Sequence, residues 1–265
     1  MFDARGTSGT TDLQTDRPHP ARIYDYWLGG KDNFPPDRVA AEHAVSAAPD
    51  IPQAARENRD FLRRAVRLCV AAGIRQFIDI GSGLPAQGNV HEVAQAVAPD
   101  ARVVYIDNDP IVLAHGRALL ADNRTTTVLT GDLRDLDELL DRPALRELID
   151  LSQPVAVLLL AVLHFVGDDH AHAAVRAVHS RLAPGSHLLI SHSTFEGNPQ
   201  RAAEVAKTWD DTESRINGRG RAEVEALFEG WELLEPGVDF VPLWRPDGPT
   251  EDTTRWMYAG VARKP

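Results

Sequence analysis

The chain has 265 residues, 43% hydrophobic and 25% charged, enough for a sizeable core and unlike a disordered chain. With 28 Lys+Arg against 39 Asp+Glu its net charge is −11, which argues against nucleic acid as a partner because a phosphate backbone calls for a basic stripe. The single cysteine, Cys69, excludes an internal disulfide and a cysteine-based zinc site, so a cytoplasmic location is expected.

Residues 1–20 are rich in Thr, Ser, Gly and Asp and lack the apolar stretch of a signal peptide; they read as a mobile tail before one domain over 21–265. The segment ARIYDYWLGGKDNF, 21–34, concentrates aromatics and two glycines without clear periodicity. Over 52–72, Phe61, Leu62, Ala65, Val66 and Cys69 recur every three or four residues, an amphipathic helix that Gly73 ends. Strands at 76–80, 102–106, 126–129, 155–163 and 187–191 then alternate with helices at 88–98, 111–121, 133–149 (broken at Pro143) and 168–182. The apolar run 155–166 falls short of the roughly 20 residues of a membrane helix, so it reads as a buried strand and no membrane partner is expected. Helices at 199–215 and 221–229 follow, then strand-like pieces at 231–234, 238–243 and 255–262, two of which suit a terminal hairpin at a sheet edge. The alternation predicts βαβ units, a mostly parallel sheet with helices on both faces, and ligands at the carboxyl ends of the strands.

Those strand ends carry the chemistry. The run FIDIGSGLP, 77–85, ends a strand at Asp79-Ile80 and turns on Gly81, Ser82 and Gly83, where the missing Cβ atoms let backbone lie against a ligand. The next strand ends at Asp107, a pure acceptor able to take both hydroxyls of a ribose, and the third at Gly131-Asp132-Leu133, where the carboxylate can accept from an exocyclic adenine amine. Taken singly, such residues are common helix caps; three in order predict a nucleoside-containing ligand. The loop also satisfies the dinucleotide fingerprint through Ala86, so a nicotinamide cofactor is the rival. Against it, Pro85 removes an amide where a pyrophosphate would sit, and Asp79 adds negative charge that suits a cationic amino-acid head group such as that of S-adenosylmethionine.

The motifs DIGSGLP, YIDNDP, GDLRD and LLLAVLHFVGD resemble those of class I S-adenosylmethionine-dependent methyltransferases. The segments ARIYDYWLGGKDNF and ARENRDFLRRAV further resemble an actinobacterial S-adenosyl methyltransferase family formerly catalogued as a domain of unknown function. The likeness implies a three-layer, Rossmann-like sheet of about seven strands with an antiparallel last strand and an N-terminal helical lid. It also implies S-adenosylmethionine as cofactor, S-adenosylhomocysteine as product and a small-molecule acceptor. By position, Asp79, Gly81, Ser82 and Gly83 would cradle the methionine part, Asp107 the ribose, Asp132 and Leu133 the adenine, with Asn108 flanking it. Pro85, where the class usually has a third loop glycine, is a departure.

Within 21–72, the expected lid and following helix, Tyr24, Tyr26, Trp27 and Phe34 suit enclosure of a sulfonium by cation–π attraction, and equally a packed surface cluster. Gly29 and Gly30 permit a bend, Asn33 or Arg22 can meet the carboxylate, and Asn58 and Arg59 support the same pocket unless Arg59 is simply solvated. His164, just past the fourth strand, is a candidate general base or a rim histidine, and His192 repeats the ambiguity. His170 and His172 point about 200° apart on a helix, so no metal site is expected. The helices within 193–229 are expected to shape the acceptor pocket. The reading is therefore a methyltransferase with an unidentified acceptor, the alternatives being an NAD(P)-dependent oxidoreductase and a non-catalytic S-adenosylmethionine-binding protein.

Overall fold

The structure, a computed structural model, describes residues 13–119, 124–207 and 215–265. Strands β1 (Gln76–Ile80), β2 (Arg102–Asp107), β3 (Thr126–Thr130), β4 (Ala156–Leu160) and β5 (His187–Ser193) run parallel, and β8 (Met257–Arg263) pairs antiparallel with β5. The order is β3-β2-β1-β4-β5-β8-β6, where β6 is Glu232–Leu233; β7 (Asp239–Phe240) also pairs with β8. The terminal hairpin anticipated from sequence is thus two short antiparallel pairings at the β8 edge.

Central strands of such a sheet are buried on both faces, which is why β4 reads as an unbroken apolar run, while β1, buried throughout, also carries Gln76 and Asp79. Successive residues point to opposite layers. Phe77, Val103 and Leu158 pack with Phe61, Val66 and Cys69 of α3 (Ile51–Ala71) and with Ala94 of α4 (Val90–Gln95). Ile78, Val104 and Val157 pack with Leu139 of α6 (Leu136–Leu139), Leu145 of α7 (Pro143–Arg146) and Val175 of α8 (Asp168–Arg181). The helix expected over 133–149 is therefore a 3₁₀ turn and two short helices that bury leucines without continuing through Pro143. Helix α5 (Pro110–Leu119) and α9 (Pro199–Lys207) start where expected; the predicted end of α5 lies outside the described residues, and Arg215, the predicted end of α9, is not helical. Helix α10 spans Arg221–Ala226.

Two N-terminal helices precede α3: α1 (Pro20–Trp27) and α2 (Pro35–Ala47). The aromatic segment that gave no periodicity is helical in its first half, and α2 was not anticipated. Within the stretch read as a tail, His19 donates its amide to Asp37 and its imidazole lies 3.1 Å from Asp109; residues 1–12 lie outside the described residues. The sheet order reverses between β1 and β4, opening a crevice above their carboxyl ends.

Candidate active site

A cavity of about 560 Å³ occupies that crevice. Its floor is the loops after β1, β2, β3, β4 and β5, and residues of α1 and α3 cover it. The volume falls within the range of small-molecule sites.

The glycine loop is held from two sides. Gly81 and Gly83 adopt φ of +69° and +66°, the left-handed region, and a Cβ on Gly81 would overlap the Val162 side chain. The Gly81 amide bonds the Ile106 carbonyl at 2.8 Å, and the Gly83 amide donates to Asp107 Oδ2 at 2.8 Å. Asp107 Oδ1 accepts from the Asp109 amide at 2.9 Å, so this buried carboxylate fixes the loop while keeping two of about four lone-pair sites open. Burial raises its pKa, against the pull of those two amides. Asp109 in turn accepts from the Ile111 amide at the start of α5 and from Arg22 Nε at 3.1 Å. The chain Asp107, Asp109, Arg22 thereby ties α1 to the strand ends.

Asp79 lines the cavity at 5% exposure, and burial pushes its pKa up to about 7 against the attraction of Arg59. Arg59 donates through Nη2 to the Gly88 carbonyl at 3.1 Å and to Asn89 Oδ1 at 3.2 Å, while its Nε is buried without a partner. Asn58 Nδ2 donates to the Tyr24 hydroxyl at 3.0 Å, which donates to the Ala55 carbonyl, and Asn58 Oδ1 is a second orphaned atom. Buried polar atoms are nearly always satisfied. Here a donor and an acceptor go unpaired on one turn of α3 beside a carboxylate.

Asp132 lines the cavity and is already hydrogen-bonded within the chain. Oδ1 accepts from the Arg134 amide and Nε at 2.9 and 2.8 Å, and Oδ2 from Arg134 Nη2 and from Asn108 Nδ2 at 3.3 Å. These contacts lower its pKa to about 2 and use all its lone-pair sites, so an adenine amine would have to displace Asn108 or Arg134, and the Arg134 contact was overlooked in the sequence reading. Asn108 and Leu133 line the cavity beside it.

Of the N-terminal candidates, Tyr24, Trp27 and Arg22 line the cavity. Tyr26, Gly30 and Asn33 are corrected to supporting positions outside it. The Tyr26 hydroxyl turns to Glu42, the Gly30 amide bonds the Asp25 carbonyl, and Asn33 Nδ2 donates to Asp25 Oδ2 at 2.8 Å. Phe34 also lies elsewhere, packed against Leu84, Ile111 and Val112 with the Arg22 guanidinium 5.7 Å from its ring. Asp25 does reach the cavity, and burial raises its pKa.

His164 lines the cavity at 4% exposure in a 3₁₀ turn after β4. Its Nδ1 accepts from the Ser193 amide at 3.3 Å, which leaves the proton on Nε2. Burial, then His192 and Arg219, hold its pKa well below 6.5, so the ring is neutral and donates from Nε2, opposite to what a general base needs. His192 faces away from that chemistry. It donates from Nδ1 to the Ser193 carbonyl and accepts at Nε2 from Arg219, with its pKa lowered to about 4 by burial. Arg219, also unforeseen, is 4% exposed and binds Asp168 Oδ1 at 2.8 Å and the Leu163 and Val166 carbonyls, clamping the loop after β4. Within that loop Ala161 sits at φ +53°, a strained backbone typical of functional clefts.

Comparison with known proteins gives consistent relatives. A family model described as S-adenosyl methyltransferase matches residues 6–265. A candidate methyltransferase from Thermobifida fusca is 43% identical with a TM-score of 0.91, the match covering 98% of this chain and 99% of that one. A protein from Streptomyces avermitilis, of a family catalogued by a domain of unknown function, is 44% identical at TM-score 0.91 over 96% of this chain and 100% of that one. The carboxy-S-adenosyl-L-methionine synthase of Geobacter metallireducens is 30% identical over 161 residues, 55% of this chain and 62% of that enzyme, so less than two-thirds of its length is spanned.

Proposed function

The chain belongs to the S-adenosyl methyltransferase family, and from that premise we propose that it transfers a methyl group from S-adenosylmethionine to a small-molecule acceptor. The observation that carries this reading is the set of unsatisfied groups around Asp79. A zwitterionic amino-acid head group would place its carboxylate by Arg59 Nε and its ammonium by Asn58 Oδ1 and Asp79. The open lone pairs of Asp107 suit ribose hydroxyls, and Leu133 with Asn108 flanks the adenine.

Bound there, the cofactor supplies an electrophilic methyl on a sulfonium that a nucleophilic O, N, S or C atom takes in line, releasing S-adenosylhomocysteine. The chain's contribution is positioning and exclusion of water. The glycine loop fixes the donor end, α1 with Tyr24 and Trp27 forms the lid, and residues from 193–229 shape the acceptor side. His164 acts in this account as an orienting donor through Nε2–H, not as the base.

The dinucleotide reading is disfavoured by the loop's geometry. Helix α4 begins at Val90, behind the N-cap Asn89 and seven residues past Gly83, so no helix N-terminus meets the loop where a pyrophosphate would lie. Among the described residues no helix is long and apolar enough to cross a membrane. A cytoplasmic location is our reading of the lone buried Cys69. The direct test is release of S-adenosylhomocysteine from S-adenosylmethionine across a library of small acceptors. Release above the acceptor-free rate supports an enzyme; tight product binding with no release across the library assigns the chain to the non-catalytic alternative.

A further inference from the structure

The cavity has two unlike halves. Its charged side chains come from the segment before α1, from α1 and α3, from the ends of β1 and β2, and from the loops after β2 and β3: Arg22, Asp25, Arg59, Asp79, Asp107 and Asp132 are examples. The loops after β4 and β5, the start of β8, α9 and the segment at Ile216 contribute no charged lining residue among those described. Their one titratable group is His164, which burial keeps neutral. In sheet order, β2 and β5 are three strand spacings apart, roughly 14 Å, so the halves lie side by side along the sheet, not one above the other.

The second half is aromatic. Phe195, Trp256 and Met257 belong to one packed cluster with Trp27, which also joins Phe165 and Ile216 in a second cluster. Trp256 is anchored by its backbone, its carbonyl accepting from the Thr194 amide at 2.9 Å, and its side chain is 6% exposed. Its indole Nε1 is nevertheless buried without a hydrogen-bond partner, a costly omission in a half whose other polar lining residues are His164, Ser193 and Thr194. An indole N–H can only donate.

We propose that the methyl acceptor is a neutral, planar, largely apolar ring compound carrying an acceptor oxygen that pairs with Trp256 Nε1, which makes Trp256 a specificity-determining residue; this rests on the methyltransferase reading above. A charged acceptor would find no counter-ion among the described residues of this half, and desolvating it there is unfavourable. A flat ring would gain contact with Trp27, Phe165 and Phe195, and its oxygen would satisfy the orphaned donor.

The test is calorimetric titration of the S-adenosylhomocysteine-saturated protein with three probes of one shape: 2-naphthol, 2-naphthoate and 2-naphthylmethylammonium. Naphthol should bind at least tenfold more tightly than either ion. Trp256→Phe, which keeps the ring and removes the N–H, should weaken naphthol by roughly three- to tenfold and leave S-adenosylhomocysteine within twofold. Should that variant fold poorly, Ile216→Asp serves, because a carboxylate at the rim should reverse the order of naphthol and the ammonium probe. An ion bound as tightly as naphthol, or no probe bound while S-adenosylhomocysteine binds, overturns the inference and leaves the methyltransferase reading standing. Failure of S-adenosylhomocysteine itself to bind overturns that reading and the inference with it.

Discussion

At Asp79 the fold holds a carboxylate that resists ionisation, with a pKa of about 7 against an ordinary 3.8. Between those values the folded state binds more protons than the unfolded one, so this group's contribution to stability declines as pH rises from about 4 to 7 and is flat above. Asp79→Asn should therefore raise the melting temperature at pH 8, by an amount equivalent to no more than about 4 kcal/mol, while weakening S-adenosylhomocysteine tenfold or more. In the parent, affinity should fall as pH drops through 7, since the ionised form attracts the ammonium. A lower melting temperature with unchanged affinity would place Asp79 outside the head-group site. At Asp132 the expectation runs the other way. Arg134→Ala removes a half-exposed side chain and frees the carboxylate, so titration should find affinity for S-adenosylhomocysteine equal or several-fold higher. A tenfold loss would mean that Arg134 itself touches the ligand. Asp79, Gly81, Gly83 and Asp107 were legible because a strand followed by Gly-x-Gly fixes their place locally. Arg134 and Arg219 were not, because what they do depends on geometry that no local pattern encodes: a side chain folding back on Asp132, and one reaching 51 residues to Asp168.

Helices α1 and α2 depend on a buried ion cluster. Arg22 is 1% exposed and lies 3.1 Å from Asp109 and 3.8 Å from Asp37, both carboxylates buried. Removing the cation would strand two buried negative charges, a change that typically costs about 3–5 kcal/mol. Arg22→Ala should consequently raise amide hydrogen exchange across α1 and α2 while β1, β4 and β5 keep their protection, and donor affinity should fall with it. Uniform protection in both regions would show that the lid does not need this pair. The same cluster explains why α2 escaped the periodicity reading. Its face toward the protein is Asp37, Ala41 and Ala44, while Val39 is 52% exposed, so the apolar pattern marks the wrong side. Helix α3, with Phe61, Leu62, Ala65, Val66 and Cys69 all buried, obeys the pattern and was placed to within a residue at either end.

Across the whole molecule, the mostly parallel sheet was legible because strands alternate with helices, whereas the order of its strands was not read from the sequence. The short pairings of β6 and β7 with β8 were only approximate, since two-residue strands carry almost no pattern. The sheet brings a charged half and an aromatic half of one cavity together across β1 and β4, and transfer between them is the central claim. It is tested most directly by comparing thermal unfolding in S-adenosylhomocysteine and in NAD. A ligand at 100 times its Kd adds about 2.7 kcal/mol by mass action, several degrees in melting temperature for a domain of this size. The account predicts that shift with S-adenosylhomocysteine and none with NAD at equal concentration. Equal stabilisation by NAD, or no effect of S-adenosylhomocysteine at millimolar concentration, would contradict it.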